Sequence, residues 1–307
     1  MTGSHIASKP VDALETIDQG VEVKHCETLD QFWNLVSPIG EYLSRPPSNF
    51  VFRGQADSRW KLVPKVFRAD ILKKYKRGIG SLHRDHPGHF FFEWHLLHRF
   101  MEYCDARGLP IPNDSLEFRK YLSQDNITTL HGKNTDSWPE ERVVLLMALA
   151  QHHGIPTRLL DWSRNPYVAC YHAAASAVTA DREHISDGDR IALFGLDLTG
   201  IHAKAKDLKP VRVPGSTSAN LYSQGGLFIL VNHSGWRGEE FITDVSSESK
   251  LPHYTKILNK VTLPTLLAGD LLLLCDKFGF SAASMFPGYD GAAKAVLETT
   301  LAFNLNS

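Results

Sequence analysis

The chain has 307 residues and a net charge of −1, with 33 lysines and arginines against 34 aspartates and glutamates. This balance argues against bulk affinity for nucleic acids and leaves only a local basic cleft open. At 43% hydrophobic and 22% charged residues, the composition is that of a globular protein with an apolar core.

Neither membrane insertion nor metal binding is indicated by the residue patterns. The N-terminus lacks the apolar segment of a signal peptide, and no apolar run is long enough to span a bilayer, which predicts a cytoplasmic protein without membrane contact. The four cysteines are far apart and are expected to be small buried residues in a reducing cytosol. His83, His86 and His89 lack the spacing and partner residues of a metal site, so no metal is expected.

The N-terminal elements are predicted from periodicity. Residues 1–20 show none and are expected to form a loosely ordered start. Residues 21–24 alternate between apolar and polar side chains, which predicts a strand. Thr28 is predicted to cap a helix, because apolar residues then recur on one helical face. The folded domain is therefore expected to span residues 21–307.

A strand predicted over residues 50–52 ends at Arg53 and Gly54. The planar guanidinium of arginine suits a phosphate or a carboxylate that is held at two points. Gly54 leaves the adjacent backbone bare for a ligand to approach. The competing interpretation is a structural salt bridge at Arg53.

A large helical insertion is predicted over about residues 65–150, between this strand and the centre of the chain. Ser137 and Glu140 have the spacing of a capping box, which predicts a helix over 139–151. This helix leads directly into the most informative stretch of the sequence.

That stretch is residues 152–175. Gly154 predicts a helix end, residues 157–161 predict an extended run, and Asn165 followed by Pro166 predicts a second helix. Polar and aromatic side chains crowd the turn between the two helices: His152, His153, Thr157, Arg158, Asp161, Trp162, Ser163 and Arg164. Such density is unusual for a scaffold loop and predicts a functional site. The structural alternative pairs Asp161 with Arg158 and places Trp162 in the core.

The C-terminal half adds strands and two helices. Strands are predicted over 190–198, 211–213, 220–231 and 256–263, and helices over 265–278 and 291–306. Gln224 begins the apolar part of one strand beside Gly225 and Gly226, which allow close approach of a ligand or of another backbone. An ordinary edge residue is the alternative for Gln224. The whole pattern predicts an α+β fold, a single domain with one mixed or antiparallel sheet, flanking helices and the helical insertion.

The usual signatures of nucleotide-binding loops, zinc proteases and serine hydrolases do not occur. Three polar strand ends remain, at Arg53, Asp161 and Gln224, and we expect them to open on one cleft. Arg53 and the helix start at Pro166 would supply positive potential there. A phosphate-bearing ligand is therefore predicted.

Four blocks of the sequence resemble the FRG domain family. They are Phe-Arg-Gly-Gln at 52–55, the run at 152–166, Gln-Gly-Gly-Leu-Phe at 224–228 and Phe-Pro-Gly-Tyr-Asp-Gly at 286–291. The blocks occur in the family's order and cover roughly residues 20–295. The family occurs mainly in bacteria and their phages, and the resemblance implies a toxin or an anti-phage effector.

A weaker resemblance to ADP-ribosyltransferases implies a sheet core of that type and a reaction that consumes NAD. In those enzymes one strand carries an aromatic-Arg-Gly that holds NAD, a second precedes an Asn-Pro helix start, and a third carries a catalytic Glu or its substitute. Phe52-Arg-Gly is similar to the first and Ser163 with Asn165-Pro to the second. Gln224 stands in the third position, with Glu239 or Glu240 as weaker substitutes.

The two resemblances imply a set of site residues. The catalytic set is Arg53, Asp161, Ser163 and Gln224. The NAD-binding set is Arg53, Gly54, His152, His153, Thr157, Arg158, Trp162 and Asn165. An enzyme of this kind would transfer ADP-ribose to a protein or nucleic-acid acceptor. The alternative is a sensor that binds a nucleotide or a nucleic acid in the same cleft without turnover.

Overall fold

The computed structural model describes residues 14–18, 21–40, 42–43, 49–76, 88–131, 135–180, 186, 188–213, 225–235, 239–252 and 257–305. They belong to two compact units, each assembled from separate segments of the chain. The first unit takes its residues from 1–59, 165–197 and 253–307, and the second from 60–164 and 198–252.

The described strands and helices make this a mixed α/β protein. The strands are β1 (Leu14–Asp18), β2 (Val21–His25), β3 (Phe50–Gln55), β4 (Leu159–Ser163), β5 (Arg190–Asp197), β6 (Leu208–Val211), β7 (Gly226–Val231) and β8 (Leu258–Pro264). The helices are α1 (Leu29–Val36), α2 (Ala69–Tyr75), α3 (His89–Asp105), α4 (Leu116–Leu122), α5 (Gln124–His131), α6 (Glu141–His152), α7 (Pro166–Val178), α8 (Leu198–Lys204), α9 (Ala268–Lys277), α10 (Ala282–Met285) and α11 (Tyr289–Leu305).

In the first unit the strand order is β1-β2-β8-β5-β3. Strands β2 and β8 run parallel, and the other neighbours run antiparallel. In the second unit β4, β7 and β6 are antiparallel neighbours in that order. The prediction of mixed strand pairing with flanking helices is confirmed, and the described elements between β3 and β4 are all helical, as expected.

Local capping signals were predictive at two helices. Thr28 accepts a hydrogen bond from the Gln31 backbone, and the Gln31 side chain returns one to Thr28, so the capping box of α1 forms. Asn165 accepts from the Tyr167 backbone at 2.9 Å and caps α7, with Pro166 in the first turn. Such caps are recognisable in sequence because they depend only on near neighbours.

Three local predictions were wrong. Residues 14–18 form β1 within the segment expected to be loosely ordered, and α8 follows β5 where no helix was predicted. The capping box at Ser137 does not form, since Glu140 is the N-cap of α6 and makes no side-chain cap. The Ser137 hydroxyl lies 3.0 Å from Nδ1 of His131 instead, so a contact with another helix replaces the cap.

The core of the first unit lies between its sheet and helices α1, α7 and α9. Fully buried residues such as Phe32, Cys170 and Leu271 belong to it, together with Leu193 of β5. All four cysteines of the chain are free thiols and buried, as predicted. None of the helices among the described residues is long and apolar enough to cross a membrane.

Candidate functional site

One face of the first unit's sheet packs on helices, and the other carries Arg53 and Lys260 among buried apolar residues. Side chains alternate between the two faces along each strand. Phe52 of β3 belongs to the core beside α7, together with Leu193 of β5. Arg53 occupies the other face, directly across from Phe194 of β5, which in turn lies across from Lys260 of β8. Arg53, Phe194 and Lys260 therefore form a row across three adjacent strands.

The environment of this row strengthens electrostatic interactions. Phe194 is buried, whereas Arg53 and Lys260 are half-buried. The Lys260 ammonium lies 5.3 Å from the centroid of the Phe194 ring and donates a hydrogen bond to the carbonyl of Ser58. Partial burial lowers the local dielectric, so an anion bound here gains more than it would at a fully wet surface.

Arg190 supplies a third cation on the same face, near the start of β5. Its Nε donates to Thr262 Oγ1 at 2.9 Å, and its Nη1 lies 3.1 Å from Glu27 Oε1. Its Nη2 donates to the carbonyl of Cys26. These contacts hold the guanidinium in one orientation, with part of its charge offset by Glu27.

His25 lies beside these cations and is neutral near pH 7. Its Nδ1 is 2.8 Å from Thr262 Oγ1. Burial, followed by the positive charges of Arg190 and Lys260, lowers the pKa of His25. The charge of this surface therefore comes from Arg53, Arg190 and Lys260, which we call the cationic face.

Gly54 has a packing role that the sequence did not reveal. A Cβ atom at Gly54 would lie 1.9 Å from the carbonyl oxygen of Ala169 and 2.8 Å from the backbone nitrogen of Ala173, both on α7. The absence of a side chain thus allows α7 to lie directly on β3. The bare backbone that was predicted for a ligand is covered by a helix.

This packing also corrects the expected source of positive potential. The start of α7 at Pro166 was expected to reinforce Arg53. Gly54 faces α7, and Arg53, one residue earlier in the strand, lies on the opposite face of β3. Arg53 is also the fourth of six residues in β3 and not the strand end, so its neighbours are Phe194 and Lys260.

In the second unit, Asp161 is held by a short chain of hydrogen bonds. Leu159 donates its backbone N–H to Thr157 Oγ1 at 3.2 Å, and Thr157 donates its hydroxyl to Gln151 Oε1. The carboxamide is thereby oriented so that Gln151 Nε2 donates to Asp161 Oδ2 at 2.9 Å. Asp161 is exposed and receives this bond as an acceptor.

Arg158 was predicted to bind the ligand, and the structure places it in the interior. Its side chain is 0% exposed and its Nε lies 2.6 Å from Glu93 Oε2. Its Nη1 donates to the carbonyls of Trp138 and His233, and Trp138 donates its indole N–H to the same Glu93 oxygen. The structural alternative of an Asp161–Arg158 pair is also wrong, because Glu93 pairs with Arg158 and Gln151 with Asp161.

The other predicted residues of the central stretch differ in exposure. His152 and His153 are exposed at the end of α6, with ring centroids 5.1 Å apart. Thr157, Trp162 and Ser163 are buried, which favours a supporting role for Thr157 and a core position for Trp162. Gln224 lies outside the described residues.

Arg53 belongs to the first unit and Asp161 to the second. The expectation that Arg53, Asp161 and Gln224 open on one cleft therefore stays a prediction. Within the described residues, no group of three or more His, Cys, Asp or Glu residues could hold a metal ion.

Sequence reasoning missed Lys260, Arg190 and Gln151. A lysine in the middle of an apolar strand was a usable signal for Lys260, because burial of an ammonium needs a reason. Arg190 opens an otherwise apolar strand and gave a similar, weaker signal. Gln151 was visible only as the last polar residue of a helix, so its contact with Asp161 was not predictable.

Comparison with known proteins gives one family match, over part of the chain. The model of the FRG domain family matches residues 48–182, a narrower span than the resemblance indicated. No curated protein and no solved structure matches the chain. The matched span includes Arg53 and the central stretch, whereas Lys260 and Gln224 lie beyond it.

Proposed function

We propose, on the premise that residues 48–182 are an FRG domain, that this chain binds a nucleotide through its phosphate groups, with NAD as the first candidate. The supporting observation is the row of Arg53, Phe194 and Lys260, which brings two half-buried cations to one face of a sheet. Arginine and lysine are the residues that proteins use most readily for phosphate, one through a planar fork and the other as a point charge.

The spacing of the row suits a diphosphate. Two interstrand steps separate the backbones of Arg53 and Lys260, a distance of about 10 Å. Both side chains are long enough to meet a ligand between them, with one cation for each phosphate group. A diphosphate joins the two nucleosides of NAD, so this arrangement would hold the centre of the molecule and leave its two ends to other residues.

For bound NAD we propose ADP-ribosyl transfer as the reaction. The N-glycosidic bond between nicotinamide and ribose C1′ breaks, and nicotinamide leaves with the electron pair of that bond. The acceptor nucleophile forms a new bond to C1′ and passes its proton to a base.

A sensor that binds without turnover is the second candidate. It is favoured by Gln224, because an amide stands where the resemblance places a catalytic carboxylate. An amide can orient a ribose hydroxyl by hydrogen bonding, but it cannot serve as a base.

Two measurements on the whole chain test the proposal. Calorimetric titration with NAD, ADP and adenosine should give binding of NAD and ADP and much weaker binding of adenosine, which lacks phosphate. Equal affinity for adenosine and ADP would contradict the phosphate-based proposal. Incubation with labelled NAD and cell extract should then release nicotinamide, whereas NAD binding without nicotinamide release over hours would select the sensor.

A further inference from the structure

A pocket in the second unit is lined by residues that do not belong to the candidate site. It has a volume of about 850 Å³ and is formed by the first turns of α6 together with β6 and β7. Small-molecule sites fall in the range of about 300–1,000 Å³, so the pocket is large enough for a ligand of that size.

The charged residues that line this pocket are three cations and two carboxylates: Arg142, Lys209, Arg212, Glu140 and Glu141. Arg142 is neutralised by Glu140, with Nη2 and Oε2 2.7 Å apart, and its guanidinium also lies 4.4 Å from the centroid of the Tyr121 ring. Lys209 and Arg212 are exposed on the strand side of the pocket. Neither cation forms an ion pair with any residue in the described part of the chain. The strand side therefore offers two cations to an anionic ligand.

Apolar side chains form the floor between these walls. Val144 and Leu145 come from α6, Val211 from β6 and Leu230 from β7. In the register of the two strands Lys209 lies directly across from Leu230. The register thus places Lys209 next to an apolar lining residue, and a lysine in such a place can lay its aliphatic stem on apolar surface while its ammonium stays in water.

The edge of β6 argues against a peptide strand as the occupant. β6 has four residues and lies at the end of the strand order in the second unit. Pro210 removes one of its backbone donors, and proline at a sheet edge is a common protection against added strands. A small molecule fits these features better than an extended peptide.

We propose that this pocket binds a small amphipathic carboxylate. Its carboxylate is held by Lys209 and Arg212, and its apolar body lies on Leu145 and Val211. This proposal is independent of the cationic face, because it involves neither Arg53 nor Lys260.

The test uses octanoate as the probe, with 1-octanol and acetate as partial probes, in calorimetric titrations of the full chain. Octanoate should bind at least about 10-fold more tightly than either partial probe, since only octanoate carries both the charge and the apolar body. Equal binding of octanoate and 1-octanol, or of octanoate and acetate, would overturn the proposal, as would the absence of octanoate binding.

Variants locate the site. Lys209→Met and Arg212→Met should each weaken octanoate binding about 10-fold or more, the effect of losing one charge-assisted hydrogen bond. Lys206→Met is the matched control, because Lys206 is exposed nearby and does not line the pocket. Unchanged affinity in both pocket variants, or equal losses in all three, would contradict the assignment.

Discussion

At the scale of single residues, neighbouring residues of one motif have different physical roles. Arg53 and Gly54 are adjacent in the sequence, yet Arg53 belongs to the cationic face and Gly54 to the contact with α7. Arg158 and Asp161 are three residues apart, and one is fully buried whereas the other is exposed. Residue types and the two resemblances predicted a place in the site for all four. They did not separate the four residues, because the local sequence does not determine which face of a strand a side chain occupies or how deeply it is buried.

Gly54→Ala is expected to destabilise the protein strongly. The added methyl group would meet the backbone of α7 at 1.9 Å, which a side-chain movement cannot relieve. Overpacking typically costs about 1–3 kcal/mol, and a clash with backbone belongs at or above the upper end. Gly188→Ala is the control, because nothing lies within 4 Å of the new Cβ. Equal urea-unfolding midpoints for the two variants would contradict this role of Gly54.

Replacing Arg158 with Leu should also destabilise the protein, because Glu93 would be left buried without its partner. Breaking a buried ion pair from one side costs about 3–5 kcal/mol. Arg99→Leu removes an exposed pair with Glu102 and should change the free energy of unfolding far less. The double variant Glu93→Leu with Arg158→Leu should recover part of the loss, since no charge then stays buried alone. If Arg158→Leu had normal stability and weakened NAD binding, the buried structural role would be wrong and Arg158 would be a ligand-binding residue.

At the scale of elements, periodicity and capping predicted most strands and helices. The signals worked where a segment is decided by its own residues, as at Thr28 and Asn165. They failed at β1, which has no clear alternation and is ordered by pairing with β2, and at Ser137, whose hydroxyl contacts His131. In both failures a partner distant from the local pattern decides the outcome.

The packing of α3 in the second unit predicts a pH dependence of stability. His89 of α3 and His233 have ring centroids 5.0 Å apart, and both meet Phe67 edge-on. Burial first, then the charge of His233, lowers the pKa of His89 to about 3. Burial first, then the charges of Lys250 and Arg158, lowers the pKa of His233 to about 4.

The sign of this effect follows from proton uptake. An unfolded histidine titrates near pH 6.5, so below that pH the unfolded chain binds protons that folded His89 and His233 exclude. The free energy of unfolding should therefore fall as the pH drops from about 6.5 towards 4. His89→Gln should flatten this fall. His202→Gln, at an exposed position of α8, is the control and should leave the fall as steep as in the wild type. Urea unfolding at about pH 7.5, 6.5 and 5.5 measures the slope, and an unchanged slope for His89→Gln would contradict the explanation.

At the scale of the whole molecule, the division into units was not predictable from the sequence. Each unit combines segments that are far apart in the chain, and no linker or change in composition marks the boundaries. The single domain that the sequence suggested reflected this absence of local signals. The cationic face was not predictable for the same reason. Strands β3, β5 and β8 come from three separate segments, and only their pairing brings Arg53, Arg190 and Lys260 to one surface.

The most direct test of the central claim is a calorimetric titration of NAD into wild-type, Arg53→Ala, Lys260→Ala and Arg107→Ala protein. Arg107 is exposed on the second unit and forms no ion pair within the described residues, so it controls for a general loss of positive charge. The cationic face predicts that Arg53→Ala and Lys260→Ala each weaken NAD binding by about 10- to 100-fold, whereas Arg107→Ala leaves it unchanged. Wild-type affinity for NAD in both folded cationic-face variants would contradict the account.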